Sequence, residues 1–174
     1  VIAYGNQNAN TTNNFNAFFA FKITPEGVNP NYTRSIFNET AGLRDGRGYL
    51  KVSADGSKIA IAHQGLYERG LFLYDFDNST GIVTNSQPLY PQDDFTSYFY
   101  NAQPYGVEFS LSGRFLYATF TMNNNDTDAI LMQYDLQDNN LGRLVSRDQT
   151  FRGALQMAPD GKIYRSLSES YDFG

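Results

Sequence analysis

Three stretches of the chain share one pattern: "RGYLKVSADGSKIAIA" at 47–62, "PYGVEFSLSGRFLYAT" at 104–119 and "RGALQMAPDGKIYRS" at 152–166. In each, apolar and polar residues alternate, a turn interrupts, and the alternation resumes, while most other residues change. A pattern kept on that spacing marks a repeated structural unit, one small sheet per repeat. The turn glycines Gly56, Gly113 and Gly161 lie 57 and 48 residues apart.

Each unit continues alike past its first hairpin. After the "ADGS" turn come Lys58 to Ala62, the loop "HQGLYERG", the apolar run "LFLYDFD", the turn "NSTG" and "IVTNS". The expected strands are A at about 49–53, B at 58–62, C at 71–76 and D at 82–86. The next unit places A at 106–110, B at 115–120, C at 130–136 and D near 141–146. "NAFFAFKITPEGV" (16–28) aligns with the C strand and C–D turn, and "VIAYG" with a B strand, so the chain opens inside an earlier unit. A fourth repeat stops after its second strand.

Strand C is apolar at consecutive positions, as at Leu71, Phe72, Leu73 and Tyr74, so both of its faces should be covered. A four-stranded sheet covered on both faces by its own copies is a propeller blade. A sandwich lacks a period near 50 residues. The expected fold class is therefore all-β, a segment of a β-propeller with four-stranded antiparallel blades. The whole chain forms part of one propeller domain, with a partial blade at 1–37, blades at 46–90 and 104–148, and a partial blade at 152–174. In an up-and-down sheet, the short A–B and C–D turns lie on one side. The long B–C and D–A loops lie on the other, where binding usually resides.

Composition excludes several classes. With 41% hydrophobic and 16% aromatic residues among 174, the chain is not disordered. No apolar run is long enough to span a membrane. A net charge of −5, with Lys and Arg scattered, argues against a nucleic-acid surface. Zero cysteines remove disulfides, thiolate metal sites and cysteine nucleophiles. The opening "VIAYGNQ" has neither an initiator Met nor a signal sequence and reads as a piece of something longer.

The ordered series "GYLKVSADGSKIAIA", "LFLYDFDNSTGIV", "YGVEFSLSGRFLYAT", "MQYDL" and "GALQMAPDGKIY" resembles the amino-terminal propeller of large surface proteins from gliding bacteria. Those proteins are exported by the type IX secretion system and carry a gliding-motility-associated C-terminal domain. The resemblance implies a secreted or outer-membrane cell-surface protein whose parent propeller has seven blades, and it brings no established catalytic residues. Seven blades need more strands than this chain supplies. The expected partners are thus the rest of the parent propeller, or another chain, covering the end blades, together with a protein or glycan ligand. Residues 1–174 alone are expected to aggregate or oligomerise through their open sheet edges.

The candidate binding residues lie in the connection "FTSYFYNAQPYG", which carries Phe95, Tyr98, Phe99, Tyr100 and Tyr105 on the long-loop side. Aromatics with polar tips stack on sugars and anchor protein partners. Lys51, Glu108 and Gln156 occupy one strand-A position in successive repeats and form a polar ring lining a central channel. The leading expectation is a non-enzymatic binding or structural module for adhesion to a protein or glycan. The alternative is a lactonase-like hydrolase or lyase with a polar site at the channel mouth, since propellers with similar hairpins include such enzymes.

No cofactor or metal is expected. The lone His63 lacks Cys or His company and reads as a solvated or hydrogen-bonded structural residue. "NNNDTD" (123–128) and "YPQDDF" (90–95) bunch oxygen ligands without a calcium-loop order and read as polar turns. Asp75, Asp77 and Asp135 recur at the ends of C strands and read as structural. Five Asn-x-Ser/Thr sequons, at Asn10, Asn31, Asn38, Asn78 and Asn125, carry little meaning in so Asn-rich a chain.

Overall fold

A computed structural model of the chain describes residues 1–8, 15–37, 47–64, 70–90, 102–121, 128–148 and 153–167. Among them there are thirteen strands and no helix. The first sheet contains β1 (Ile2–Gly5), β2 (Ala17–Thr24) and β3 (Gly27–Ile36). The second contains β4 (Leu50–Val52), β5 (Lys58–Ala62), β6 (Leu71–Asp77) and β7 (Ile82–Leu89). The third contains β8 (Gln103–Phe109), β9 (Phe115–Thr121), β10 (Ala129–Asp135) and β11 (Leu141–Asp148). The last is the hairpin of β12 (Leu155–Met157) and β13 (Ile163–Arg165). Strands neighbour one another in sequence order within every sheet, and all pairs are antiparallel.

The repeated turn has a local cause. Gly56, Gly113 and Gly161 hold φ of +72°, +71° and +78°, a left-handed conformation that glycine adopts without a Cβ penalty. Three residues before two of these glycines stands a serine that closes the turn. The backbone N–H groups of Lys58 and Phe115 donate to Ser53 Oγ and Ser110 Oγ over 2.9 and 3.0 Å. Asp55 adds a second lock, accepting from Ser53 Oγ at 2.6 Å and from both the backbone and hydroxyl of Ser57. These donors hold its carboxyl down to about 2.

The sheets pack face on face. Ile59, Ile61, Phe72 and Tyr74 turn toward the first sheet and meet Phe18 and Phe37. Ala60, Ala62, Leu71 and Leu73 turn the other way and meet Val107, Leu116, Ala118, Phe120, Met132 and Tyr134 of the third sheet. The apolar run in strand C is thus explained: alternate residues feed two different cores. In the first of these cores Phe18, Phe37 and Tyr74 meet edge to face, with centroids 4.8–5.8 Å apart. Outer strands are tied as well, since Thr33 Oγ1 donates to the Thr80 carbonyl and Val83 N–H donates to Ser35 Oγ.

Two of the aspartates at the ends of the C strands pair with cations at the start of the neighbouring B strand, and Asp77 accepts from Ser79 and Thr80 of its own turn. Asp75 meets Lys58, and Asp135 takes a bidentate contact from Arg114 at 2.7–3.2 Å. His63 departs from expectation. It is buried, with Nε2 lacking a hydrogen-bond partner, and its ring lies against Tyr4 and Phe72 at 4.9 and 5.8 Å. The end of β5 carries it into the aromatic seam between the first two sheets, away from solvent.

Candidate active site

The inner strands β4, β8 and β12 open their sheets and approach one another. Tyr49 N–H donates to the Tyr105 carbonyl over 3.0 Å, joining the starts of β4 and β8. Between the third sheet and the last hairpin, the buried Thr119 does the same work. Its Oγ1 accepts from Gly106 N–H at 2.9 Å and donates to the Gly153 carbonyl at 2.8 Å.

On this frame Lys51, Glu108 and Gln156 form one connected ladder. Lys51 Nζ donates to Glu108 Oε2 over 2.8 Å and to Gln156 Oε1 over 2.9 Å. Glu108 Oε2 also accepts from the Met157 backbone N–H at 2.9 Å, and Oε1 accepts from Phe109 N–H at 3.2 Å. Gln156 Nε2 is spent on the Met157 carbonyl. The pair is well shielded, with side-chain exposures of 19% for Lys51 and 9% for Glu108. Residues from two further sheets are therefore drawn onto the cation of the second sheet. Their common strand position signals this in the sequence; the contribution of the Met157 amide carries no side-chain signal there.

The ladder lies toward the tight-turn ends of the inner strands, since Glu108 precedes the Ser110 turn by two residues. At the opposite, long-loop ends stands an aromatic pair: Tyr49 and Tyr105, with centroids 5.5 Å apart and planes at 71°. Tyr105 is the one member of the expected aromatic binding group among the described residues. Phe95, Tyr98, Phe99 and Tyr100 lie outside them, as does most of 123–128. Tyr49 was not singled out by its sequence, although its place two residues before Lys51 sets both on one face of β4.

Two other features stand apart from the ladder. A cleft of about 640 Å³ opens between the first two sheets, lined by Phe21, Ile23, Val52, Phe76 and Thr80 among others; no ladder residue touches it. Among the described residues no cluster of His, Asp and Glu is grouped to hold a metal, and no helix is long and apolar enough to cross a membrane.

No protein-family model matches the chain, and no curated protein matches it. Solved structures do. A Lactobacillus plantarum protein superimposes with a TM-score of 0.62 at 14% identity, covering 98% of this chain and 49% of its own. The periplasmic gluconolactonase PpgL of Pseudomonas aeruginosa gives 0.52 at 15% identity, covering 86% of this chain and 40% of its own. A Bacteroides uniformis protein described as a candidate 6-phosphogluconolactonase gives 0.52 at 17%, with the same coverage. The chain is a segment of a β-propeller. It spans about half the length, or less, of these neighbours.

The propeller neighbours correct the expected kinship. Several are described as lactonase-type or luciferin-regenerating proteins, and none of these as a type IX-exported surface protein of gliding bacteria. The hairpin series on which that resemblance rested has a structural cause. A left-handed glycine, with a turn-closing serine in two of the three hairpins, is demanded by the A–B hairpin of this architecture, so the motif reports fold and not lineage. With it go the expectations of secretion by that route, gliding motility, adhesion and a non-enzymatic binding module, since these matching structures are described as enzymes instead.

Proposed function

We propose that this propeller segment belongs to a hydrolase of sugar lactones, with the Lys51–Glu108–Gln156 ladder as its reactive group. The observation that carries the reading is the ladder itself: a shielded cation and carboxylate held together where three inner strands meet. The lactonases among the structural neighbours supply the reaction class.

Lactone hydrolysis needs a donor for the carbonyl oxygen, on which charge develops, and an acceptor for a proton of the attacking water. Lys51 has three N–H donors and gives two to Glu108 and Gln156, so the third serves the carbonyl oxygen. Glu108 Oε1, bonded only by a 3.2 Å backbone contact, takes the water proton as the new C–O bond forms. When the tetrahedral intermediate collapses, the ring C–O bond breaks and the leaving alkoxide recovers that proton from Glu108. The product is the open-chain hydroxy acid. Gln156 holds the ammonium in place and acts as a positioning residue.

Further polypeptide completes the ring by covering the open edges of β1 and β13. An extracytoplasmic setting is supported by the periplasmic neighbour. The test is turnover by the whole protein on a panel of aldonolactones, followed by proton release. Hydrolysis that drops at least a hundredfold in kcat for Lys51→Met and Glu108→Gln supports the reading. Absence of turnover on every lactone overturns it.

A further inference from the structure

We propose that Tyr49 and Tyr105 form the surface on which the substrate ring stacks, making the site selective for hydroxylated sugar lactones over unsubstituted ones. This rests on the lactonase reading and assigns it a specificity determinant. Tyr49 stands two residues before Lys51 on the same strand face, so the two backbone positions lie about 7 Å apart along the strand.

The geometry of the pair suits the task. Tyr49 and Tyr105 meet edge to face at 5.5 Å and 71°, so the ring presented edge-on keeps its faces clear of its partner. The electron-rich face of a tyrosine attracts the C–H bonds along one side of a sugar, and its phenol reaches the hydroxyls. Both residues are half-buried, which fixes their rings before a ligand arrives. The backbone bond from Tyr49 N–H to the Tyr105 carbonyl locks the two inner strands together directly beneath them. Aliphatic lactones present neither ring hydroxyls nor the polarised C–H face, so they gain little from this surface.

The test compares glucono-δ-lactone with δ-valerolactone, using the whole protein and its Tyr105→Leu, Tyr105→Phe and Tyr49→Leu variants. Tyr105 belongs to neither core cluster, so its leucine variant keeps the fold, as a thermal melt checks. The expected result is a fall of about three- to tenfold in the kcat/KM ratio of sugar lactone to valerolactone for the leucine variants, through KM. The phenylalanine variant should stay within about twofold. An unchanged ratio in Tyr105→Leu overturns the platform while leaving the hydrolase standing. If the wild-type protein turns over neither lactone, titration with gluconate decides. Binding weakened about three- to tenfold in Tyr105→Leu upholds the platform without the hydrolase, whereas no binding, or binding indifferent to the variant, overturns it.

Discussion

Lys51 and Glu108 lie 57 residues apart in the chain, and the ammonium of one donates to the carboxylate of the other over 2.8 Å. The contact joins the inner strands of two sheets, and each partner keeps the other's charge tolerable out of bulk water. Removing the cation alone leaves Glu108, 9% exposed, with only backbone donors. Lys51→Met is therefore expected to lower unfolding free energy by about 2 kcal/mol. The double variant Lys51→Met/Glu108→Gln should recover part of that loss. Urea denaturation of all three proteins checks it; equal losses in the single and double variants would show that the charges are not coupled.

His63 makes stability pH-dependent. Burial between the first two sheets lowers its pKa from 6.5 to about 4. The unfolded chain therefore binds a proton that the folded chain refuses throughout that window. Stability is complete above pH 6.5 and declines as pH falls toward 4, by up to about 3 kcal/mol from this residue. The difference curve between wild type and His63→Gln, measured by denaturation from pH 4 to 8, should slope across that interval and flatten above it. Asp55 and Asp77, held down to about 2 by their turn hydrogen bonds, act at lower pH and do not mask it.

Two glycines of the repeated pattern, one before strand A and one in the A–B turn, should differ sharply in cost. A Cβ on Gly153 would lie 1.7 Å from the Ser166 carbonyl oxygen, backbone against backbone, with nothing flexible to yield. Gly113 has φ of +71° and open space around it. Gly153→Ala is expected to cost at least about 3 kcal/mol or to abolish folding, while Gly113→Ala should cost about 1–2 kcal/mol. Comparable melting temperatures for the two variants would contradict the close approach of β12 to the end of β13.

Tyr134 is fully buried, and its hydroxyl has no hydrogen-bond partner. Burial pushes its pKa far above the usual phenol range. Deleting only the hydroxyl relieves an unpaid desolvation cost, so Tyr134→Phe should stabilise by about 1 kcal/mol. Tyr134→Ala, which empties a core site, should cost about 3–5 kcal/mol. Thermal unfolding of the pair distinguishes these signs.

Much of this architecture was written along the chain. The A–B turns are local events: a left-handed glycine three residues after the residue whose backbone closes the hairpin appears three times, and each sets a hairpin. Strand A of the third sheet begins earlier than its pattern suggests, at Gln103, because a bulge between Pro104 and Val107 lets two extra residues join the pairing. The shared position of Lys51, Glu108 and Gln156 was legible too, since repetition places equivalent residues on equivalent strands.

The sequence by itself determined strand order, turn type and the two-sided burial of β6, because these follow from alternation and backbone conformation over a few residues. Tertiary structure alone decided which polar groups meet. The Met157 amide on Glu108, Tyr49 beside Tyr105, and an imidazole sealed between Tyr4 and Phe72 with its Nε2 unbonded all depend on how one sheet faces the next. Periodicity fixes which side of a strand a residue occupies. The distance from that side to the neighbouring sheet is set by the packing of both cores, and it is this distance that turns a lysine, a glutamate and a glutamine into one hydrogen-bonded group.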